Sequence, residues 1–450
     1  MIIIIITCAC IKIQAQDYEI ITIAGCDDSL SFFGGDGGPA VNARLYGPEN
    51  VHLDKMGNLY IADFGNARIR KITLSTGIIT TVAGIDTFGY GGDGGPATDA
   101  ILEGPEDVFT DSAGDIFFAD GLENRVRKIT LSSGTITTVA GNGTTGSYGD
   151  NGPATNAALN RPCGLCLDRN GNIYVSDTYN NKIRKVDALT NIITTIAGTG
   201  VAGNTGIGGL ATNAELNQPG GIFLDSMGNI IFCDAINNMI KKIDATTGIL
   251  TTIAGTGVAG YSGNGGIAAN AELNFPGRGY IDNQNNLYFA DYDNGAIRRI
   301  DGVTGIIKTV AGTGTIGFSG DGGPATDAQL SPAGVVLDSN GTIYIADFDN
   351  NRIRKVYSTL AVNNVHTNSQ AYSLFPNPND GNFTISQIAP DLNTVKAEIT
   401  DVIGRMVYTG DLIFENGNKS LHLENHSPGL YLLTLIDSEN REFRYKFVIE

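Results

Sequence analysis

The sequence predicts an all-β chain: a six-bladed β-propeller closed by its N-terminal strand, followed by a small C-terminal β-sandwich. The first observation is a repeat, because an aspartate that opens a tight turn recurs every 56 or 57 residues, at Asp54, Asp111, Asp168, Asp225, Asp282 and Asp338. A fixed period of that size, with strand-like segments in each copy, is typical of a propeller or array. The second observation is that the sixth copy lacks one strand, and an equivalent segment stands ahead of the first copy.

Each copy divides into four short strand-like segments. Examples are Gly334–Leu337, which follows a proline, and then Leu59–Ala62, Arg68–Ile72 and Thr80–Ala83. The second and fourth segments lack a clean alternation of apolar and polar residues, which favours strands that are covered on both faces. Every sheet of a propeller lies between two neighbours, so this pattern agrees with the predicted fold.

The turn between the first two strands of each copy has a fixed form. Glycine stands three positions after the aspartate, at Gly57, Gly114, Gly171, Gly228 and Gly341. Asn285 takes its place once. Asparagine tolerates a left-handed backbone better than other side chains do, so the substitution indicates a left-handed turn residue. These turns predict hairpins with a bulge.

The two ends of the repeat region indicate how the ring closes. The sixth copy runs into Val356–Ser358 without the fourth strand that the other copies have. The missing strand is present near the N-terminus, as Ile21–Gly25. We therefore expect the N-terminal strand to complete the last blade, which leaves no open sheet edge.

The repeated residues also carry a family resemblance. The pattern Pro-x-Gly, Asp-x-x-Gly-Asn-Leu-Tyr-Ile-Ala-Asp and Asn-x-Arg-Ile resembles the NHL repeat and returns six times between residues 18 and 357. The resemblance implies a six-bladed propeller of a kind that mostly serves as a binding platform. The segment Gly-Asp-Gly-Gly-Pro-Ala-Thr-Asp-Ala at 320–328 is similar to an insert found in extracellular NHL proteins of bacteria and animals.

One feature of the pattern varies among the copies. An aspartate that ends the second strand is followed five positions later by a basic residue at Asp63/Arg68, Asp120/Arg125, Asp177/Lys182 and Asp347/Arg352. The basic residue is lost at Asp234/Met239 and Asp291/Ala296. We expect the second and third strands to be held together less tightly in blades four and five, although a partly exposed ion pair contributes only ~0–1 kcal/mol.

Composition and the termini suggest the domain boundaries. We expect a signal peptide at 1–16, the propeller at 17–359, a linker at 360–371 and a second domain at 372–450. The apolar run Ile2–Ile6 is too short to span a bilayer, so we expect no transmembrane segment in the mature chain. The net charge of −18 argues against a basic surface that could hold nucleic acid, so we expect no nucleic-acid partner.

The last 79 residues contain motifs of their own. They include Leu374-Phe375-Pro376-Asn377-Pro378, Gly381-Asn382-Phe383 and Pro428-Gly429-Leu430-Tyr431, with turn spacing that predicts roughly seven strands in a small sandwich. In this order the motifs resemble the sorting domain of the type IX secretion system. The resemblance implies a secreted or surface location on a Gram-negative bacterium, with residues 372–450 as the segment that contacts the secretion machinery.

The inserts between blades supply the first group of candidate site residues. Aromatic residues align at Phe33, Tyr90, Tyr261 and Phe318, and Tyr148 stands one position away from this alignment. All six inserts should emerge on one face, where these rings either pin the loops to the propeller or bind a protein or carbohydrate ligand. Aspartates align at Asp36, Asp93, Asp150 and Asp321. They either cap their own turns or, as a metal site, bind Ca²⁺ through side-chain and carbonyl oxygens.

The mouth of the central channel supplies the second group. The two residues after the proline that opens each inner strand are small in most copies, but they are Glu49-Asn50 and Glu106-Asp107 in the first two. Arg278 stands at the same place in the fifth copy. This acidic group is either solvated surface or a weak site for a divalent cation at the axis, similar to that of six-bladed lactonases.

These patterns leave two functional hypotheses. The repeats contain one histidine, His52, so no Ser/His/Asp set can be assembled in the propeller. We favour a secreted or surface-bound, non-catalytic scaffold that engages a protein or glycan through the insert face. The alternative is a divalent-metal-dependent hydrolase, similar to a lactonase, or a lyase at the channel mouth. No cofactor other than Ca²⁺ is suggested by the sequence.

Overall fold

The computed structural model describes residues 18–26 and 33–358 of the repeat region. In the C-terminal region it describes 372–375, 381–387, 394–401, 406–414, 417–423, 429–436 and 442–449. The expected signal peptide and linker lie outside the described residues. The chain separates into two compact units, Met1–Ser358 and Thr359–Glu450. In the described residues, no helix is long and apolar enough to cross a membrane.

The prediction of an all-β fold is confirmed, because the described residues form β-strands and single-turn 3-10 helices. The strands of the first unit are β1 (Tyr18–Ala24), β2 (Pro48–Leu53), β3 (Asn58–Asp63), β4 (Arg68–Thr73), β5 (Ile78–Ala83), β6 (Pro105–Thr110), β7 (Ile116–Asp120), β8 (Arg125–Thr130), β9 (Thr135–Ala140), β10 (Gly152–Pro153), β11 (Pro162–Leu167), β12 (Ile173–Asp177), β13 (Lys182–Val186), β14 (Ile192–Ala197), β15 (Pro219–Leu224), β16 (Ile230–Asp234), β17 (Met239–Ile243), β18 (Leu250–Ala254), β19 (Pro276–Ile281), β20 (Leu287–Asp291), β21 (Ala296–Ile300), β22 (Ile307–Ala311), β23 (Gly323–Pro324), β24 (Pro332–Leu337), β25 (Ile343–Asp347) and β26 (Arg352–Ser358).

The 3-10 helices occupy two places in the repeat. Some lie in the inserts, at Ala40–Asn42, Ala97–Asp99, Ala154–Asn156, Ala211–Asn213, Ala268–Asn270 and Ala325–Asp327. Others join the second and third strands of a blade, at Phe64–Asn66, Thr178–Asn180, Ala235–Asn237 and Tyr292–Asn294. The latter group ends in a residue with a left-handed backbone, such as Asn181 at φ 53°.

Six antiparallel sheets surround a common axis. In blades 1 to 5 the strand order follows the chain, as in β2-β3-β4-β5, and the two-residue strands β10 and β23 add to the outer edges of blades 3 and 6. The inner strands contact one another in a closed cycle: β2, β6, β11, β15, β19, β24 and again β2. The ring is therefore complete with six blades, as the repeat predicts.

The N-terminal strand closes the ring, which confirms the second expectation from the sequence. β1 runs antiparallel to β26, with Ile20 opposite Val356, and forms the outer strand of blade 6. The Tyr357 hydroxyl donates a 2.8 Å hydrogen bond to the Glu19 carboxylate across this pair. Ile20 is fully buried against blade 6 residues such as Val335.

The closing strand provides a test of how much the ring depends on it. Ile20→Ala should lower the free energy of unfolding by about 2–5 kcal/mol, because the variant leaves a cavity between β1 and the blade 6 core. Denaturant unfolding of the full chain measures this effect. Ile21→Ala, at the half-buried neighbouring position, is the control and should cost less. Equal losses in the two variants would contradict a tightly packed closing strand.

Both faces of the middle strands are buried, which explains their lack of alternation. Leu59 and Ile61 pack toward blade 6, in a cluster that contains Tyr344. Tyr60 and Ala62 of the same strand pack toward blade 2. Successive side chains point to opposite faces of a strand, and each face meets a neighbouring blade.

The C-terminal unit is a two-sheet sandwich, as predicted. Its strands are β27 (Tyr372–Phe375), β28 (Asn382–Gln387), β29 (Thr394–Asp401), β30 (Met406–Ile413), β31 (Asn418–His422), β32 (Gly429–Ile436) and β33 (Glu442–Ile449). They form the sheets β27-β28-β31 and β30-β29-β32-β33. Phe383 of the first sheet packs with Leu433 and Phe447 of the second in one core.

Candidate functional site

The four strands of each blade alternate in direction, and this order places three parts of every blade at the same end of the propeller. These parts are the insert, the start of the inner strand that follows it, and the turn between the second and third strands. The backbone N–H of Gly65 in that turn donates to the Tyr46 carbonyl of the insert, and Gly121 donates likewise to Gly104. We call this end the insert face; its inserts are 33–47, 84–104, 141–161, 198–218, 255–275 and 312–331.

An arginine crosses the channel at the insert face. Arg278 of blade 5 donates to Glu49 of blade 1 at 2.5 Å and to Glu106 of blade 2 at 2.6 Å. Its Nε donates to the Cys163 carbonyl of blade 3 at 3.1 Å. The residue is only 8% exposed. This side chain, the axial arginine, therefore joins four blades through one guanidinium.

A second arginine completes the charge balance. Arg161, at the end of an insert, donates to the other oxygen of Glu106 at 2.7 Å and to the Tyr179 hydroxyl at 3.0 Å. Two carboxylates and two guanidinium groups thus form one network at the channel mouth. The sequence reasoning did not include Arg161, although an arginine just before the strand-opening proline occurs in this copy alone.

Asn50 and Asp107 lie beside this network and join the inner strands to one another. The Asn50 side-chain amide donates to Asp107 at 2.5 Å. The second Asp107 oxygen accepts from the Leu165 backbone N–H at 2.8 Å. Blades 1, 2 and 3 are therefore connected through one buried carboxylate.

The predicted channel-mouth residues do come together, with Arg278 as the counter-ion of the carboxylates. A divalent cation at the axis would have to displace its guanidinium from both Glu49 and Glu106. Among the residues that the structure describes, no cluster of three or more His, Cys, Asp or Glu side chains is arranged to hold a metal. The geometry therefore gives the Ca²⁺ hypothesis no ligand set in this part of the chain.

Burial shifts the titration of two of these carboxyl groups. Desolvation raises the pKa of Glu49 to about 7, against the opposing effect of Arg278. Desolvation also raises the pKa of Asp107 to about 6. The folded protein therefore binds protons that the unfolded chain has already released between about pH 4 and pH 7.

A pH dependence of stability follows from these shifts. Because the folded-state pKa values lie above the unfolded ones, the contribution of Glu49 and Asp107 is largest at low pH and is lost as pH rises toward 7. In Glu49→Gln, the melting temperature should change less between pH 5 and pH 8 than in the unmodified chain. Asp99→Asn, which removes an exposed insert carboxylate, is the control. A steeper pH dependence in Glu49→Gln would contradict the assignment.

The axial arginine divides the channel into two cavities. On the insert face, a cavity of about 360 Å³ is lined by Glu49, Glu106, Arg161, Tyr179 and Tyr292, among others. At the opposite end, a cavity of about 730 Å³ is lined by side chains that include His52, Phe109, Phe223 and Tyr280. Arg278 lines both cavities. An ion-paired side chain therefore separates the insert-face cavity from the larger cavity at the opposite end of the channel.

The inserts are attached to the blades by buried ion pairs, and the structure corrects the pairing expected from the sequence. Asp63 pairs with Arg70, seven positions later, while Arg68 turns to Asp86 at 2.6 Å. The Arg70 side chain extends diagonally from β4 to Asp63 at the end of the neighbouring strand β3. All six blades have such a pair: Asp63–Arg70, Asp120–Arg127, Asp177–Arg184, Asp234–Lys241, Asp291–Arg298 and Asp347–Arg354. The pairing partner is therefore corrected in every blade, and blades four and five have a buried pair as well.

The insert aspartates extend these pairs. Asp36 accepts from Arg70 at 2.7 Å, and its second oxygen accepts from the Thr81 backbone N–H. The same arrangement joins Asp93 to Arg127, Asp150 to Arg184 and Asp321 to Arg354. Each aspartate lies in a different insert and bonds to a buried arginine of its own blade. In the structure these aspartates fix the inserts to the blades.

Most insert aromatics stack on arginines. Phe33 lies 3.6 Å from the Arg68 guanidinium carbon, measured to the ring centroid, and Tyr90 lies 3.7 Å from that of Arg125. The same contact joins Phe318 to Arg352 and Tyr261 to Arg298. Tyr148 differs, because its hydroxyl bonds to Asn142 and Thr144 and it is 55% exposed. The rings therefore pin the inserts and also keep part of their surface in solvent.

One exposed insert residue was missed by the sequence reasoning. Phe88 is 62% exposed and lies beside Leu102 in a parallel bridge. The equivalent bridges in later inserts contain Thr145, Ala202, Ala259 and Ile316. An alignment of the inserts would have shown that Phe88 is the one aromatic residue among these equivalent positions.

Two regions of the chain match known families. Residues 159–186 and 330–356 match the NHL repeat. Residues 373–450 match the family described as the secretion system C-terminal sorting domain. The second match marks the chain for type IX export to the cell surface or beyond it.

Two similar proteins match most of this chain. The chain is 28% identical over 321 residues to the chloroplastic protein SUPPRESSOR OF QUENCHING 1 of Arabidopsis thaliana, covering 69% of this chain and 30% of that protein. It is 26% identical over 443 residues to human Teneurin-1, covering 89% of this chain and 15% of that protein. The chain thus spans less than a third of these two relatives.

Solved structures support the fold. An auxiliary nutrient binding protein from Bacteroides thetaiotaomicron matches with a TM-score of 0.56 and 18% identity, covering 76% of this chain and 77% of that one. At this identity the likeness concerns the fold alone. The chain therefore contains NHL repeats within a β-propeller fold, followed by a secretion system C-terminal sorting domain.

Proposed function

We propose that this exported propeller is a non-catalytic binding scaffold that engages a protein or glycan through its insert face. The observation that supports the proposal best is the attachment of the inserts. Buried arginines hold Asp36, Asp93, Asp150 and Asp321, so four loops are fixed before any ligand arrives. A fixed surface loses little conformational entropy on binding.

The fixed inserts also present apolar side chains to solvent. Phe88 and Tyr148, which lie in two of these inserts, are more than half exposed. Aromatic residues contribute most to binding energy at protein interfaces. A tyrosine also suits a sugar, because it has an apolar ring and a polar hydroxyl.

The alternative, a metal-dependent hydrolase or lyase, has less support. Its carboxylates, Glu49 and Glu106, bind the axial arginine and Arg161. An enzyme of this kind needs a deep pocket with carboxylates free to bind metal or substrate. The ion pairs of these carboxylates favour the scaffold.

The test uses the labelled full-length chain, an oligosaccharide array and photo-cross-linking to proteins on intact Gram-negative cells. Phe88→Ala combined with Tyr148→Ala should reduce binding about tenfold, because the variant removes two exposed aromatic contacts. The matched control is Met56→Ala combined with Met227→Ala. Those methionines are more exposed than the two aromatic residues but lie in the turns between first and second strands, at the opposite face.

The proposal requires the two double variants to differ. Equal binding by both, or a loss confined to the methionine variant, would place the ligand away from the insert face. Array signal reports a glycan, and cross-linked polypeptide reports a protein partner.

A further inference from the structure

A groove lies between blades 5 and 6, away from the axial network. It has a volume of about 900 Å³ and includes Tyr280, Tyr288, Arg299 and Lys308 from blade 5 and Asp338 from blade 6. The turn aspartate Asp282 also lines it. Ligand sites commonly have volumes of 300–1,000 Å³. The groove is therefore large enough for a molecule of several rings.

The repeat itself provides a control for this groove. Tyr288 is half-buried, whereas the equivalent residue is buried in every other blade. Those residues are only 3–8% exposed: Tyr60, Phe117, Tyr174, Ile231 and Tyr344. Tyr288 is thus more exposed than its five equivalents, and the groove beside it is larger than the cavity of about 490 Å³ that Tyr344 lines between blades 6 and 1.

The hydrogen bonding of Tyr288 departs from the repeat as well. In blade 3 the Tyr174 hydroxyl donates to the turn aspartate Asp168 at 3.3 Å. The equivalent Tyr288 lies beside Arg299, whose guanidinium carbon is 5.8 Å from the ring centroid. Asp282 Oδ2 accepts from Asn286, and the acceptor site that Tyr174 takes in blade 3 is not taken by a tyrosine among the described residues.

Lys308 adds a cation where the repeat has none. The equivalent residue is threonine in four other blades: Thr80, Thr137, Thr194 and Thr251. Lys308 lies directly opposite Arg299 on the adjacent strand. Like charges in this position are destabilising. Arg299 pairs with Asp301, whereas Lys308 is exposed and makes no ion pair with another described residue.

The closing strand shapes one wall. In blades 1 to 5 a hairpin joins the two outer strands, but the outer strand of blade 6 is β1. Its first residue, Tyr18, lines the groove. At the interface between blades 6 and 1, the hairpin residue Leu74 packs against the core instead. An aromatic ring therefore stands where the ring closure replaces a hairpin.

From these observations we propose that the groove binds a neutral oligosaccharide. A sugar ring presents an apolar C–H face to tyrosine and hydroxyl groups to charged side chains. Hydroxyls can donate to the free acceptor site of Asp282 and accept from Lys308 and Arg299. The two carboxylates and two cations that line the groove cancel in formal charge, which favours a neutral ligand.

The site is independent of the insert face, so its test can fail separately. The full-length chain is applied to an array of neutral and acidic oligosaccharides, and hits are measured by isothermal titration calorimetry. We expect neutral saccharides to bind. Lys308→Thr and Tyr280→Val should each weaken that binding about fivefold to tenfold, because each removes a ligand contact.

Both variants install residues that the fold already uses at equivalent positions, Thr251 and Val336, so they should fold normally. The insert-face variant Phe88→Ala with Tyr148→Ala is the control and should leave groove binding unchanged. Three outcomes would overturn the proposal: no neutral saccharide binds, only acidic ones bind, or binding survives both groove variants.

Discussion

Replacing Arg278 with alanine is expected to lower the free energy of unfolding by about 3–5 kcal/mol, the largest effect of any single change at the channel. The variant removes the shared partner of Glu49 and Glu106, both buried at the axis. Two carboxyl groups then lie in a low-dielectric site with one arginine, Arg161, between them. The Cys163 carbonyl also loses its donor.

Denaturant unfolding of the full chain measures this loss. Arg169→Ala removes an exposed arginine from a turn and should change stability by less than about 0.5 kcal/mol. If the two alanine variants lose the same stability, Arg278 is not a structural bridge between blades.

The neighbouring blades suggest a rescue. Where blade 1 has Glu49, blade 4 has Gly220 and blade 6 has Ala333. Replacing Glu49 and Glu106 with alanine in the Arg278→Ala background should therefore recover part of the lost stability, because no unpaired carboxyl group remains. A further loss would show that burial of unpaired charge is not the cause.

Repeated residues carried most of the information about the fold. The aspartate spacing gave the blade number, and the strand missing from the sixth copy located the closing strand at Ile21–Gly25. Both features are local in sequence and are fixed by turn geometry. The sandwich followed from turn spacing and end motifs in the same way.

The partners of charged side chains were harder to predict. Register correctly places Arg68 opposite Asp63, yet the ion pair forms with Arg70. The choice depends on side-chain reach and on Asp36, which arrives from an insert 34 positions away. The spacing of residues within one hairpin predicts neither the reach of the arginine side chain nor its contact with Asp36.

The channel residues show a similar limit. Glu49, Glu106 and Arg278 were identified because each departs from the small residues of the other copies. The sequence grouped them as one set of candidates for a cation or ligand. Their mutual bonding depends on an arginine that crosses the axis from a blade 172 positions away from Glu106, so it required three-dimensional coordinates.

The second large effect concerns the buried pair in blade 2. Arg127→Ala should cost about 3–5 kcal/mol, because it leaves Asp120 buried without its cation and frees Asp93 in the insert. Arg125→Ala should cost about 1 kcal/mol or less, because Arg125 is half-buried, stacks on Tyr90 and donates to the Gly141 carbonyl. Denaturant unfolding compares the two variants.

The comparison separates two views of the repeat. The sequence pattern predicts that Asp120 pairs with Arg125, five positions later. In the structure Asp120 pairs with Arg127. The same contrast holds in blade 4, where Lys241 is the buried cation and Met239 occupies the other position. Lys241→Met should destabilise as strongly as Arg127→Ala, and Met239→Arg should give no gain.

Loss of the pair should also loosen the insert that it anchors. In Arg127→Ala, amide hydrogen exchange should increase at Thr138, whose backbone N–H donates to Asp93 at 2.9 Å. Arg125→Ala should leave that exchange unchanged. If Arg125→Ala releases Thr138 and Arg127→Ala does not, the fixed inserts do not depend on the buried pairs, and the preformed binding surface loses its physical basis.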